Sequence, residues 1–155
     1  MDPILMLLDK NARMPVDEIA AAVGKTPEEV EEAIAGYEKA GIIKGYKPIV
    51  DWERTGRPYV TAQIAVKIVL NGKMGFDDIA NLLASFEEVE TLTSGAYDIS
   101  LTVSGKTFQE VAMFVASRLS PLEGVQSTST SFQLKTYKER GILSEAEQDI
   151  REVRV

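Results

Sequence analysis

Hydrophobic positions along the chain change period near residue 58, and the change divides the chain in two. Up to residue 43 they recur at helical spacing. "PILMLLDK" follows Asp2, a good capping residue, with Pro3 at the first helical position. In "MPVDEIAAAVGK", Val16, Ile19, Ala20 and Val23 fall at i, i+3, i+4 and i+7, one apolar stripe, and Gly24 ends it. Thr26, Pro27 and Glu29 spell a capping box with proline at the first position, so a third helix opens there. Val30, Ile34 and Tyr37 are its inward stripe, and Gly41 stops it. "IIKGYKPIVDW" is β-rich, broken by Gly45 and Pro48, and predicts a hairpin wing.

The polar stretch "DWERTGRP", 51–58, separates this from a different pattern. In "VTAQIAVKIVL" apolar residues hold 60, 62, 64, 66, 68 and 70, the period of a strand. "NGKMG" is a turn. Phe76, Ile79, Ala80, Leu83 and Phe86 predict an amphipathic helix. "VETLTSGAYDISLTVS" reads as two strands meeting near Ser94–Tyr97. Thr107 and Glu110 make another capping box, and Phe108, Val111, Ala112, Val115 and Leu119 stripe the helix after it. "GVQSTSTSFQLKTYK" closes as a strand, and a short helix is expected over 144–152.

The fold class is therefore α+β: an N-terminal winged helix-turn-helix, three helices plus a β wing, followed by a ferredoxin-like βαββαβ domain. The boundaries are 1–52 for the first domain, 53–59 for a linker, 60–138 for the second domain and 139–155 for a tail. Two helices cover one face of such a sheet. The other is expected to be apolar and to need a cover, most simply a second copy of the sheet.

Composition narrows the chemistry. No histidine and no cysteine are present, which removes thiol nucleophiles, imidazole bases, disulfides and the usual zinc sites. Neither a carboxylate pair nor a phosphate-cradling glycine loop stands out, so the expectation is no enzyme, no catalytic residue, no metal and no cofactor. "MDPILMLLDKNAR" has no basic n-region or cleavage site, and no stretch approaches the ~20 apolar residues of a membrane span, so the expected location is cytoplasmic. Net charge is −7, which does not advertise a polyanion partner.

Three segments in order carry a family likeness. "LLDKNARMPVDEIAAAVGKTPEEVEEAIAGYEKAGIIKGYKPIVDWERTG", "TSGAYDISLTVSG" and "LSPLEGVQSTSTSFQLKTYK" together resemble the Lrp/AsnC transcription regulators, over about residues 2–138. The resemblance implies double-stranded DNA binding through the helix-turn-helix, dimers that assemble into octamers, and an amino-acid effector held between C-terminal domains. Some relatives of this architecture act as decarboxylases in haem biosynthesis; the missing histidine argues against that metabolic role here.

The helix expected to face DNA is acidic. Its exposed positions hold Glu28, Glu29, Glu31, Glu32 and Glu38, and residues 1–55 carry eleven acids against seven bases. DNA affinity comes largely from Lys/Arg contacts to phosphate. Candidate contacts are Lys25 and Thr26 at the helix start and, on the wing side, Lys44, Lys47, Arg54 and Arg57. Three readings stay open: the glutamates are a solvated face and DNA binding is weakened or lost, leaving a small-molecule-binding oligomer; they meet a basic protein partner; or the helix binds DNA in the ordinary way.

The candidate effector residues are Ser94, Gly95, Tyr97 and Asp98, with Thr128 and Thr130. A carboxylate accepts from an ammonium group, glycine lets backbone amides approach a ligand, and the two threonines share one face of the last strand. "SGAYD" is equally readable as a tight turn, with Gly95 at positive φ and Asp98 bonded to backbone.

Overall fold

The computed structural model describes residues 1–144. A compact unit of residues 1–49 precedes a second that begins at Val50.

The first unit holds α1 (Pro3–Lys10), α2 (Val16–Val23) and α3 (Pro27–Lys39). The first and third are capped by side chains. Asp2 accepts from the amides of Ile4 at 2.8 Å and Leu5 at 3.3 Å. Thr26 and Glu29 form the reciprocal box, with bonds of 3.2 and 3.0 Å. Gly24 ends α2 in the left-handed region, at φ 70°. Ile4, Leu8, Ile19, Ala20 and Val30 are the buried core, with Ile34, Tyr37 and Ile43 packed against it. The Tyr37 hydroxyl donates to the Asp2 carboxylate, tying α3 to the cap of α1. That bond, ahead of the opposing effect of burial, holds Asp2 below its ordinary 3.8; the same bond, with burial acting in the same direction, raises Tyr37 above 10.0.

The wing is not a hairpin. Residues 42–50 form no strand among the described residues. They are fixed at their start, where the amides of Ile42 and Ile43 reach the Tyr37 carbonyl at 2.9 and 3.2 Å. Tyr46 then donates to Glu38 Oε1 at 3.0 Å. Beyond this, Gly45 and Pro48 interrupt the run before a ladder can form.

The second unit is a four-stranded antiparallel sheet in the order β2-β3-β1-β4, built from β1 (Val60–Ile68), β2 (Val89–Ser94), β3 (Ile99–Gly105) and β4 (Val125–Phe132). The helices are α4 (Phe76–Ala84) and α5 (Phe108–Phe114). This is the expected βαββαβ order. Residues 53–59 fall within this unit and are exposed up to Pro58: Glu53–Thr55 make a 3-10 turn, and Arg57 lies 4.7 Å from the Trp52 ring centre.

The core sits between sheet and helices. Ala62, Ile64 and Val66 of β1 and Ile99, Leu101 and Val103 of β3 are all fully buried. β1 stops at Ile68, not at Leu70; Val69 instead donates to the Gly124 carbonyl at 2.8 Å, and Leu70 is exposed. α5 continues as a π turn, Val115–Leu119, closed by Ser120 N–H to the Val115 carbonyl at 2.9 Å. Val111, Phe114 and Leu119 are buried with Val115 packed beside them, the wider turn placing Leu119 five residues after Phe114 on the same side, while Phe108 and Ala112 stay exposed. Thr107 caps α5, but the Glu110 carboxylate turns to the Lys106 amide, so only half of the expected box forms.

β4 ends at Phe132. A hairpin that the periodicity did not predict follows: β5 (Lys138–Glu139) and β6 (Ile142–Leu143), turning through Arg140 and Gly141 at positive φ. The helix expected over 144–152 lies, beyond Ser144, outside the described residues.

Candidate functional site

Pairing register fixes which side chains share each sheet face, because antiparallel partners point the same way and neighbours alternate. Thr130 pairs with Ile64 and Thr128 with Val66. Both threonines thus point to the helix side with the core, and both are half-buried. Ser127, Ser129 and Ser131 pair with Lys67, Ala65 and Gln63 and point to the uncovered side. Ser100, Thr102 and Ser104 of β3 pair with Ala65, Gln63 and Thr61 and join them there. The uncovered face is therefore hydroxyl-rich. The apolar face expected to need a cover is absent, because every large apolar residue of β1 falls on the helix side.

At one end of this polar face lies a pocket of about 470 Å³. Tyr97, Asp98 and Thr128 line it, together with Gln63, Lys67 and Ser127. Ser94, Gly95 and Thr130, named from the sequence, do not. Ser94 pairs with Ile99 at the strand end, and Thr128 borders the pocket although its side chain, like that of Thr130, is turned to the helix side. The signal that was missed is the alternation Ser127-Ser129-Ser131 against Gln63 and Lys67, which becomes a face only once the register is known.

The loop between β2 and β3 is residues 95–98. Gly95 is outside the positive-φ set, and a Cβ there would meet nothing within 4 Å. Its flexibility is not what shapes the turn. Asp98 is tied into the sheet, where its Oδ2 accepts from the Ile68 amide at 2.8 Å. β3 pairs with β1 only as far as Val66–Ile99, so this carboxylate replaces the strand partner that Ile68 lacks on that side. Asp98 is half-buried, and Tyr97 is exposed. Gln63 and Lys67 add an amide and an ammonium. Together these groups offer an anionic acceptor, a cationic donor and a rim of hydroxyls, a set that matches a zwitterion.

In the first unit the structure brings Lys25 and Thr26 together at the start of α3, both exposed. The Thr26 hydroxyl is already used as a cap. Lys44 and Lys47 are exposed on the extended segment. Arg54 falls in the second unit, 3.4 Å from Asp51 in an exposed ion pair. All five glutamates of α3 are exposed. Glu29 is held in the capping box and Glu38 by Tyr46. Glu28, Glu31 and Glu32 form no ion pair among the described residues.

Among the described residues no group of histidine, cysteine or carboxylate side chains could hold a metal ion. No helix among them is long and apolar enough to cross a membrane.

The profile of the Lrp/AsnC ligand binding domain matches residues 61–143. The HTH-type transcriptional regulator YugG of Bacillus subtilis is 40% identical over 149 residues, covering 94% of this chain and 90% of the relative. The regulatory protein AsnC of Haemophilus influenzae is 30% identical, covering 85% and 87%. Among solved structures, a transcriptional regulator of Neisseria meningitidis in complex with L-Met superposes with TM-score 0.71 at 27% identity, covering 88% of this chain and 89% of that one.

Proposed function

The chain belongs to the Lrp/AsnC family of transcription regulators, and from that premise we propose that it is a DNA-binding regulator whose affinity is set low by an acidic α3 and tuned by a small amino acid at the 95–98 loop. The observation that carries this reading is the α2–Gly24–α3 pair. It has a helix-turn-helix build, with a fully capped second helix whose start presents Lys25 and Thr26. In this reading residues 1–52 serve DNA, with the extended segment acting as a wing through Lys44 and Lys47, while residues 60–138 bind effector and assemble. Asp98 and Lys67 take the ammonium and carboxylate of the effector. The hydroxyl-rich sheet face suits a hydrogen-bonded, wet contact with a second copy, and dimers assemble further, to an octamer, in the cytoplasm.

Glu28, Glu31 and Glu32 of α3, without an ion pair among the described residues, support a second reading, in which the same oligomer binds its effector but has lost autonomous DNA binding. One experiment separates the two: footprinting of the full chain on its own upstream region at two salt concentrations, with Glu31→Gln/Glu32→Gln and Lys44→Ala/Lys47→Ala variants. Tighter binding in the glutamine variant places α3 at DNA. Weaker binding with a salt slope flatter by about one unit per lysine places the wing there. No protection by wild type at either salt leaves the second reading standing.

A further inference from the structure

The turn between β1 and α4 contains "NGK", Asn71 to Lys73, and all three residues are exposed. The chain has three asparagines, Asn11, Asn71 and Asn81, followed by alanine, glycine and leucine. Asn71 Oδ1 accepts from the Lys73 amide at 3.2 Å, which folds the side-chain amide back over its own peptide link to Gly72. Asn11 makes the same bond, its Oδ1 accepting from the Arg13 amide at 3.0 Å. The two asparagines therefore share a side-chain turn and differ in the residue that follows.

That difference is chemical. Gly72 stands at φ 84°, and a Cβ there would meet nothing within 4 Å. Its amide nitrogen has no side chain to shield it and no hydrogen-bond partner among the described residues. Asn81, by contrast, lies inside α4, where helical bonding fixes the backbone. Asn71 also holds a tie to a distant segment. Its Nδ2 donates to Glu123 Oε1 at 2.5 Å, and Lys73 Nζ lies 3.6 Å from the same oxygen. The next residue, Gly124, accepts from the Val69 amide at 2.8 Å, where β1 ends and β4 begins.

We propose that Asn71 is a site of spontaneous modification that loosens this tie. The Gly72 amide gives its proton to solvent, and its nitrogen attacks Asn71 Cγ. The new N–C bond closes a five-membered succinimide, the Cγ–Nδ2 bond breaks, and ammonia leaves with a proton from solvent. Water then opens the ring at either carbonyl, leaving aspartate or isoaspartate, with no change of oxidation state. The product exchanges a donor for a carboxylate beside Glu123, so attraction becomes like-charge repulsion. The site is independent of the effector reading above.

The test is peptide mapping by mass spectrometry of the full chain held at neutral pH and physiological temperature. It reads the exchange of NH2 for OH at each asparagine. Asn71 should convert about tenfold faster, or more, than Asn11 and Asn81, with isoaspartate among its products. Gly72→Ala should slow it about tenfold, because a Cβ shields the amide and resists positive φ. Ala12→Gly should speed Asn11 about tenfold. That variant leaves the 71–73 turn untouched, so the comparison stands even if Gly72→Ala folds poorly. In Asn71→Asp, which stands in for the product, the Val69 amide should exchange with deuterium faster than in wild type. Glu123→Gln in that background should return it toward the wild-type rate. The proposal is overturned if Asn71 converts no faster than Asn11, if Ala12→Gly leaves Asn11 unchanged, or if Val69 exchanges at the wild-type rate in Asn71→Asp.

Discussion

The two faces of the four-stranded sheet are made from the same strands and share almost nothing else. The helix side carries Ala62, Ile64, Val66, Ile99, Leu101 and Val103, all without solvent exposure. The open side carries serines, threonines, Gln63, Ala65 and Lys67. The first face is where the fold's stability resides; the second is free to be chosen for contact and recognition. α3 shows the same division, with Val30 buried on one side and glutamates on the other. In both elements, function has to be sought on the face that folding does not use.

The largest effect that tests this division is a truncation on each side. Leu101→Ala removes a fully buried side chain and should cost about 2–5 kcal/mol in denaturant unfolding. Ser129→Ala, on the open face, should stay within about 0.5 kcal/mol. Equal losses at the two positions would break the comparison.

Gly124→Ala comes next. Gly124 sits at φ 93°, and a Cβ would lie 2.7 Å from Ile79 Cδ1, a buried atom of α4. Overpacking of this kind costs roughly 1–3 kcal/mol, before the positive-φ strain is added. Ile79→Val removes the clashing carbon, so the double variant should lose less than the two single losses combined. Strict additivity in thermal melts would show that the helix does not press on the start of β4 there.

Asp98 lies where the two faces meet, and its variants separate scaffold from site. Asp98→Ala leaves the Ile68 amide without its acceptor and should cost about 1–3 kcal/mol. Asp98→Asn keeps an acceptor oxygen and should hold most of that stability while losing effector binding at the 95–98 loop in calorimetry. If Asp98→Asn binds amino acids there as well as wild type, the carboxylate is a strand cap and nothing more.

The smallest effect belongs to α3. Asp2 is depressed below 3.8 and Tyr37 raised above 10.0 by their shared bond. The Asp2 contribution is present above 3.8 and lost as pH falls through the lower folded value. The Tyr37 contribution is present below 10.0 and lost as pH rises through the higher folded value. Tyr37→Phe should therefore flatten the melting temperature of residues 1–49 at both ends of a pH series and leave the sheet unit's profile as it is. An unchanged profile at both ends would mean the bond carries no net stability.

Much of the architecture follows from the chain itself. The caps at Asp2 and Thr26 and the period-two run over 60–68 are local: each depends on groups close by in the chain, so the sequence alone carries them. The family likeness is equally local, three motifs in order. Other features depend on distant partners. Thr128 and Thr130 share a face in any strand, but only pairing with Val66 and Ile64 decides that the face is the core side. The serines between them become a surface for the same reason. Asp98 caps Ile68 because β3 runs out of pairing at Ile99, far along the chain from the amide it serves. The π turn at Val115–Leu119 puts Leu119 on the buried side five residues after Phe114, a spacing a regular helical period cannot express. A ladder for residues 42–50 needs a partner strand that hydrophobic period alone cannot supply. Periodicity fixes which residues lie together within an element; register and long-range hydrogen bonds decide what that side faces.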